Sequence, residues 1–329
     1  MDVYIASDLL HRQKALEVTT KTDIVVVNWN AGDQLRQCID SIRRYGFNHV
    51  GKCIVVDNGS QDGSTNFLEG APDVDLVLTG KNLGFGRACN LGAVRGDSQF
   101  VLFLNPDASL MPGSLDVPLA FLEEYQNNKV GIVGISLIGA EEEVQRTCAR
   151  FPSAFGLALS SFGLNRLVYR LGTHMHEWDH SNSREVPHVI GAFYMIRRDL
   201  FERLCGFDER FFVYLEDLDL SLRAQKMGFC SFYLVDACAY HKGGGVSEQV
   251  KAHRLFYSLR SRIQYAFKHF SWVSAVMVAF AALVVEPITR LFFLLLKKRF
   301  GEIGDLLRGY RMLWGWVVST AFGAAGDAP

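Results

Sequence analysis

The residues that could do chemistry in this chain sit where apolar runs stop. Asn28 and Asn30 close TDIVVVNWN, Asp57 closes KCIVVD, and Asn105 and Asp107 follow FVLFL in FVLFLNPDASL. A carboxylate just past a strand can hold a hard divalent cation through oxygen, and the cation can hold a diphosphate. Pro106-Asp107 taken alone reads equally as a turn, with Pro and Asp there for backbone reasons. Three polar strand ends on one edge change the balance, because ligands collect beyond the carboxyl ends of strands in open α/β sheets.

Strands and helices in alternation must position these groups. Phe100–Leu104 is apolar without alternation, which predicts a strand covered on both faces, as in a parallel sheet. Thr22–Asn30, Lys52–Asp57 and Asp75–Thr79 read the same way. Leu35, Ile39 and Ile42 recur at helical spacing within 33–45, and Asn82-Leu83-Gly84-Phe85-Gly86 leads into a helix over about 87–96. The order β-α-β-α-β-α-β predicts a doubly wound sheet. Further strands are expected at 130–138, at 186–197 with an interruption at Gly191-Ala192, and at 231–235. Residues 148–180 are poorly patterned and read as a loop or an acceptor-side flap. Glu216, Asp217 and Asp219 open a helix running to about Met227.

Composition sets the class. Of the 329 residues, 49% are hydrophobic and 21% charged, which is globular. The net charge of −1 hides a division: residues 251–329 hold 11 Lys and Arg against 4 Asp and Glu, leaving −8 on the first 250. A basic, apolar tail on an acidic body points to an anionic membrane surface, and no nucleic-acid motif accompanies it. The seven cysteines are scattered with no CxxC pair, which fits a reducing compartment. Residues 1–20 have no apolar signal core, so the body is expected in the cytoplasm.

Six segments in order carry a resemblance: VVVNWNAGDQLRQCIDSI, IVVDNGSQDGS, NLGFGRACNLG, FLNPDA, GAFYMIRRDLF and GFDERFFVYLEDLDLSLRAQKMG. Together they resemble the family 2 glycosyltransferases of the GT-A fold, in the rhamnosyltransferase-like branch, over residues 22–250. The resemblance implies a Rossmann-like, mixed and mostly parallel α/β sheet flanked by helices, and an inverting sugar transfer from a nucleotide-sugar donor. With the GT-A domain at 22–250, the chain divides into an N-terminal extension at 1–21, that domain, and a basic and apolar helical, membrane-associating region at 251–329 that the sequence itself marks out.

Position by position, the resemblance makes Asp57 the acid that meets the nucleotide base, with Asn30 beside it. Asn82, Gly86 and Gly191 fall on the donor side. Asp107 stands at the last acid of a DxD metal motif whose first acid is here Asn105. That costs one charge and leaves an amide oxygen as donor. His241 resembles a histidine used as a metal or diphosphate ligand; a partly buried loop histidine is the plainer alternative. The expected cofactor is Mg²⁺ or Mn²⁺. Asp217 matches the general base, which must lie within hydrogen-bond reach of the attacking hydroxyl. The same acids could instead serve the dipole of the following helix. Where relatives carry an aromatic before the Gly-Ala pair, this chain has His188 and Val189.

The expected donor is dTDP-L-rhamnose, with a UDP-hexose or UDP-galactofuranose as alternatives. The expected acceptor is polyprenyl-linked or another glycan of the cell envelope. A nucleotide-sugar-binding scaffold without catalysis is the competing class. In the tail, Trp272–Val285 is 14 residues without a charge, and Glu286-Pro287 interrupts it. A span needs about 20 apolar residues, and Pro287 is expected to break or kink a longer helix. The expectation is therefore a peripheral or re-entrant hairpin on the inner face of the membrane, with Lys297-Lys298-Arg299, Trp314 and Trp316 at the interface. A core helix pair packed on the catalytic domain is the alternative.

Overall fold

The structure is a computed structural model and describes residues 20–163, 172–243 and 250–321. The expected extension at 1–21 lies almost wholly outside the described residues, as do Gly244 and Gly245. The strands are β1 (Thr22–Asn28), β2 (Val50–Asp57), β3 (Asp75–Leu78), β4 (Phe100–Leu104), β5 (Ala108–Leu110), β6 (Val130–Ile138), β7 (Arg184–Val186), β8 (Phe193–Arg197) and β9 (Cys230–His241). They form one mixed sheet in the order β3-β2-β1-β4-β8-β6-β9-β5, with β7 paired to β9. The half containing β1 to β4 is parallel. β8 enters antiparallel between β4 and β6, and β6 runs parallel to β9.

Every residue of β1 and β4 is buried, as their unalternating sequences require. Helix α1 (Asp33–Tyr45) covers one face, setting Leu35, Cys38, Ile39 and Ile42 on Ile24, Val26 and Val55. Helix α2 (Phe85–Ala93) covers the other, with Ala88, Cys89 and Ala93 on Val25, Val27 and Val56. Full burial of each Ile, Val or Leu contributes about 1.5–3 kcal/mol, so this double cover fixes the register on which the strand ends depend. The far end of the sheet is pinned by Asp23, fully buried, whose carboxylate accepts from Arg198, from the backbone N–H of Lys52 and Ser98 and from the Ser98 hydroxyl, all at 2.8 Å.

Two features differ from the sequence reading. The residues after Asp107 form β5, which pairs antiparallel with the end of β9, Ala108 opposite His241. The segment 231–241 is one strand whose pairing with β6 slips between Ile135 and Ser136. The remaining helices of the body are α3 (Asp116–Glu123), α4 (Ala154–Ser161), α5 (Arg198–Arg203) and α6 (Glu216–Lys226).

The tail begins with α7 (Lys251–His269), which is bound into the body. Fully buried Tyr265 packs on Phe211 and Leu218, and Ser261 donates to the Val213 carbonyl at 2.8 Å. Lys268 Nζ reaches Asp208 at 2.5 Å and Asp219 at 2.6 Å, and His269 Nε2 lies 2.7 Å from Asp219. Next come α8 (Trp272–Phe280), a π-helical turn (Ala281–Val285), α9 (Glu286–Leu296) and α10 (Ile303–Ala321). Residues 272–296 thus form one continuous helix of 25 residues, long and apolar enough by length and composition to cross a membrane. The expected break at Pro287 is absent. The wider π turn lies just before the proline, where an N–H is missing, and the Thr289 hydroxyl donates to the Val285 carbonyl at 3.1 Å. Trp314 is exposed, whereas Trp316 packs inward among the tail helices under the Arg260 guanidinium.

Candidate active site

The nucleotide-side residues form a connected set. Asn28, fully buried at the end of β1, donates from Nδ2 to Asp57 Oδ1 at 2.9 Å and to Ser64 Oγ at 2.8 Å. Ser60 N–H donates to Asp57 Oδ2 at 3.3 Å, so both carboxylate oxygens are aimed by the protein and keep free lone pairs. Asn30 takes a left-handed conformation (φ 49°), and its Oδ1 accepts from Gln61 N–H at 2.8 Å. Asn82 Oδ1 accepts from Asn58 Nδ2 at 3.0 Å and from Gly84 N–H at 2.9 Å, clasping the loop before α2 onto the end of β2. Gly86 faces the body: a Cβ there would lie 3.2 Å from Phe207 Cβ and 3.6 Å from Glu216 Cβ.

The pairing of β5 with β9 brings Asp107 and His241 together, with Oδ1 and Nε2 3.6 Å apart. Gln145 grips His241 twice, Oε1 at 2.8 Å from Nδ1 and Nε2 donating to the His241 carbonyl at 2.8 Å. If the imidazole donates through Nδ1, its Nε2 lone pair faces Asp107, the form in which histidine binds metal. One carboxylate, one imidazole and the amide of Asn105 are a donor set that suits Mg²⁺ or Mn²⁺. No group of three or more His, Cys, Asp and Glu placed to hold a metal ion exists among the described residues, so a cation here would need oxygens from a diphosphate to complete its shell.

Asp217 lies on the other side of the same edge. Tyr214 and Leu215 both adopt positive φ, 71° and 67°, immediately before α6. Such conformations cost on the order of 1 kcal/mol each for non-glycine residues, and here they turn the first residues of α6 inward. Asp217 Oδ2 accepts from Gly191 N–H and Oδ1 from Leu218 N–H, each at 2.8 Å. Gly191 lets this carboxylate approach closely: a Cβ there would stand 3.0 Å from that Oδ2 and push it away. The next residue, Ala192, accepts from Asn105 N–H at 3.0 Å, so the Gly-Ala link joins Asp217 directly to the NPD segment.

A buried histidine completes the surroundings of Asp217. His188 Nε2 lies 3.5 Å from Asp217 Oδ2, its Nδ1 is 2.9 Å from Ser221 Oγ, and Ser221 Oγ is 3.0 Å from the Tyr194 hydroxyl. Burial pushes the Asp217 carboxyl up, but His188 and the two backbone donors outweigh it, and Asp217 titrates below the ordinary aspartate range. Its neighbour Glu216 is the reverse: burial and the adjacent Asp217 charge raise it well above the ordinary range, and Oε2 has no partner. The two neighbouring carboxyls are thus pushed in opposite directions by their environments. Asp219 is not at the site; it is fully buried against Arg223, Lys268 and His269.

The glycosyl transferase family 2 model matches residues 23–205, more than half of the chain. The chain belongs to glycosyl transferase family 2. It is 28% identical over 275 residues to the N-acetylglucosaminyl-diphospho-decaprenol L-rhamnosyltransferase of Mycobacterium tuberculosis, covering 78% of this chain and 87% of that one. It is 23% identical over 227 residues to the rhamnosyltransferase WbbL of Escherichia coli, covering 66% and 82%. Among solved structures, the mannosyltransferase PcManGT of Pyrobaculum calidifontis, in complex with GDP-Man and Mn²⁺, superposes with a TM-score of 0.50 at 17% identity. That match covers 99% of this chain and 87% of that one and shows the shared GT-A fold.

Gln145, Ser221 and Tyr194 were not singled out from sequence as site residues. Ser221 carries a readable signal, since it stands four residues after Asp217 on the same helix face. Gln145 lies between the strand at 130–138 and the unpatterned segment at 148–180 and carries none.

Proposed function

We propose that this glycosyltransferase moves L-rhamnose, with inversion, from dTDP-L-rhamnose to a polyprenyl-diphosphate-linked sugar acceptor during cell-envelope polysaccharide synthesis. One observation carries the reading: Gly191-Ala192 ties Asp217 to one side and Asn105 to the other, so a candidate base and a candidate diphosphate site share one edge. The donor and acceptor classes are supported by the names of the two rhamnosyltransferases it is similar to.

In this mechanism Asp57 and Asn30 bind the nucleoside. Asp107 and His241, with Asn105, would hold a divalent cation, which would supply charge neutralisation to the departing diphosphate. Asp217 takes the proton from the acceptor hydroxyl as that oxygen attacks the anomeric carbon. Its side chain keeps 17% of its surface open, enough for a hydroxyl to reach it. His188, Gly191 and Leu218 hold the carboxylate ionised and aimed. The enzyme works from the cytoplasm at the inner face of the membrane, where a lipid-linked acceptor is presented.

The test is incubation of the purified protein with Mg²⁺, a lipid-linked N-acetylglucosamine acceptor and, in parallel, dTDP-rhamnose, a UDP-hexose or UDP-galactofuranose. Rhamnosylated lipid from the first donor alone is the expected result. Product from a UDP-sugar alone overturns the donor, and nucleotide binding without product from any donor favours a scaffold.

A further inference from the structure

The helix Trp272–Leu296 has two unlike faces. Val273, Met277, Phe280, Val284, Ile288 and Phe292 recur every three or four residues and are all exposed. Phe280 keeps 59% of its surface open and Ile288 68%, values foreign to a helix buried in a soluble core. The stripe runs the length of the helix and ends at Lys297, Lys298 and Arg299, all exposed. An apolar stripe this long, closed by a basic cluster, is complementary to the surface of an anionic bilayer.

The opposite face decides the orientation. Ala275 and Val278 pack on Leu157 of α4 and Ala266 of α7. Ala282 packs on Phe256, Leu259 and Ile263 of α7. Glu286, nearly fully buried, accepts from Arg262 of α7 at 2.5 Å and from Ser161 of α4 at 3.0 Å. Helix α7 is in turn fastened to the catalytic helix through Lys268 and His269. A membrane-crossing helix in this packing would take α7, with Lys251, Arg254, Arg260 and Arg262, into hydrocarbon, where such charges are expensive.

We propose that the stripe is a docking face for a bilayer rich in anionic phospholipid, and that the helix lies in the membrane plane instead of crossing it. The purpose assigned to docking rests on the lipid-linked acceptor proposed above; the docking itself does not. Phe155 of α4 and Phe162 just after it are exposed as well. The packing of α7 on the body sets the distance of the catalytic edge from the membrane.

The experiment is sedimentation of the full chain with vesicles of phosphatidylcholine alone or of equal parts phosphatidylcholine and phosphatidylglycerol. The expected result is binding to the phosphatidylglycerol vesicles, weakened by salt and fully reversed by alkaline carbonate. Phe280→Asp with Ile288→Asp and Phe292→Asp should lower partitioning by about tenfold or more. Those side chains are exposed, so an unchanged melting curve and unchanged nucleotide diphosphate binding are expected and confirm that the variant is folded. Lys297→Gln with Lys298→Gln should weaken binding to the anionic vesicles only. The proposal is overturned if the wild-type chain stays in the supernatant, if carbonate fails to release it, or if the folded triple variant binds as well as wild type. A preparation that transfers sugar but ignores vesicles removes the docking face and leaves the enzyme; one that docks without transferring does the reverse.

Discussion

Replacing His188 by Phe removes one polar neighbour of Asp217 while keeping ring volume in a buried site. Asp217 then retains Gly191 N–H and Leu218 N–H, each at 2.8 Å, and loses the imidazole at 3.5 Å. A contact to a charged group contributes about 1.5–3 kcal/mol, and the length of this one places it at the low end. About 1.4 kcal/mol is one pKa unit. His188 favours the ionised carboxylate, so its loss raises the Asp217 pKa and moves the acid limb of the kcat/KM profile up by about one pH unit. Other groups bearing on the pair are Glu216 and Asp219 on α6, the Tyr194 hydroxyl on β8, Arg223 and, through His188, His174. None is removed by the substitution. The assay is initial rate of sugar transfer across pH at saturating donor, with His188→Gln as a partner variant that keeps an N–H donor and should shift the limb less. An unmoved acid limb with a uniform loss of rate would mean that His188 only packs, and the account of the Asp217 environment would fail.

Asp217→Asn should leave nucleotide diphosphate binding intact and lower turnover by about a hundredfold or more, as calorimetry and steady-state rates together would register. Asp107→Ala should weaken nucleoside diphosphate binding and erase its dependence on Mg²⁺ or Mn²⁺; equal affinity with and without metal in the wild-type protein would remove Asp107 from that role. Asp208, Asp219 and Glu286 are buried to different degrees, which raises each carboxyl, yet hydrogen-bonding and cationic partners hold all three below their ordinary ranges: Arg210 and Lys268 for Asp208, the His269 hydrogen bond and Arg223 for Asp219, Arg262 and Arg290 for Glu286. Their contribution to stability is complete above the unfolded carboxylate values, about pH 4, and is lost as pH falls further toward the folded values. Melting temperature should therefore hold from pH 7 to about 5 and drop steeply below 4; a flat profile down to pH 3 would contradict the ion-pair assignment. Truncation at residue 250 should expose Phe211 and Leu218 and strip Lys268 and His269 from Asp219, giving insoluble protein instead of a freer catalytic domain.

Phe100–Leu104 and Thr22–Asn28 were legible because burial on both faces leaves a continuous apolar run, a local signal that tertiary context did not alter. The placement of Asp57 and Asp107 at strand ends and of Asp217 at a helix start was legible because polar residues that stop such strands, or open a helix beside them, are few. The pairing of β5 was not legible: three residues carry no period, and their partner lies more than a hundred residues away in β9. The contact of His188 with Asp217 depends on where β8 and α6 meet, and the residue showed in sequence only as a departure from an aromatic. Pro287 misled because a proline normally ends a helix; the π turn before it absorbs the missing N–H, and nothing in AALVV announces a π turn. The attachment of α7 to the body was hidden by the abrupt change of charge at residue 251, which marked a boundary in composition where the packing has none.

The most direct test of the central claim is the anomeric configuration of the product made from dTDP-L-rhamnose and the lipid-linked acceptor, read by nuclear magnetic resonance alongside the same reaction with Asp217→Asn. A single displacement driven by Asp217 predicts a product whose configuration is opposite to that of the donor, formed by the wild-type chain and nearly absent with the variant. A product that retains the donor configuration, or one formed at an equal rate by Asp217→Asn, would contradict it.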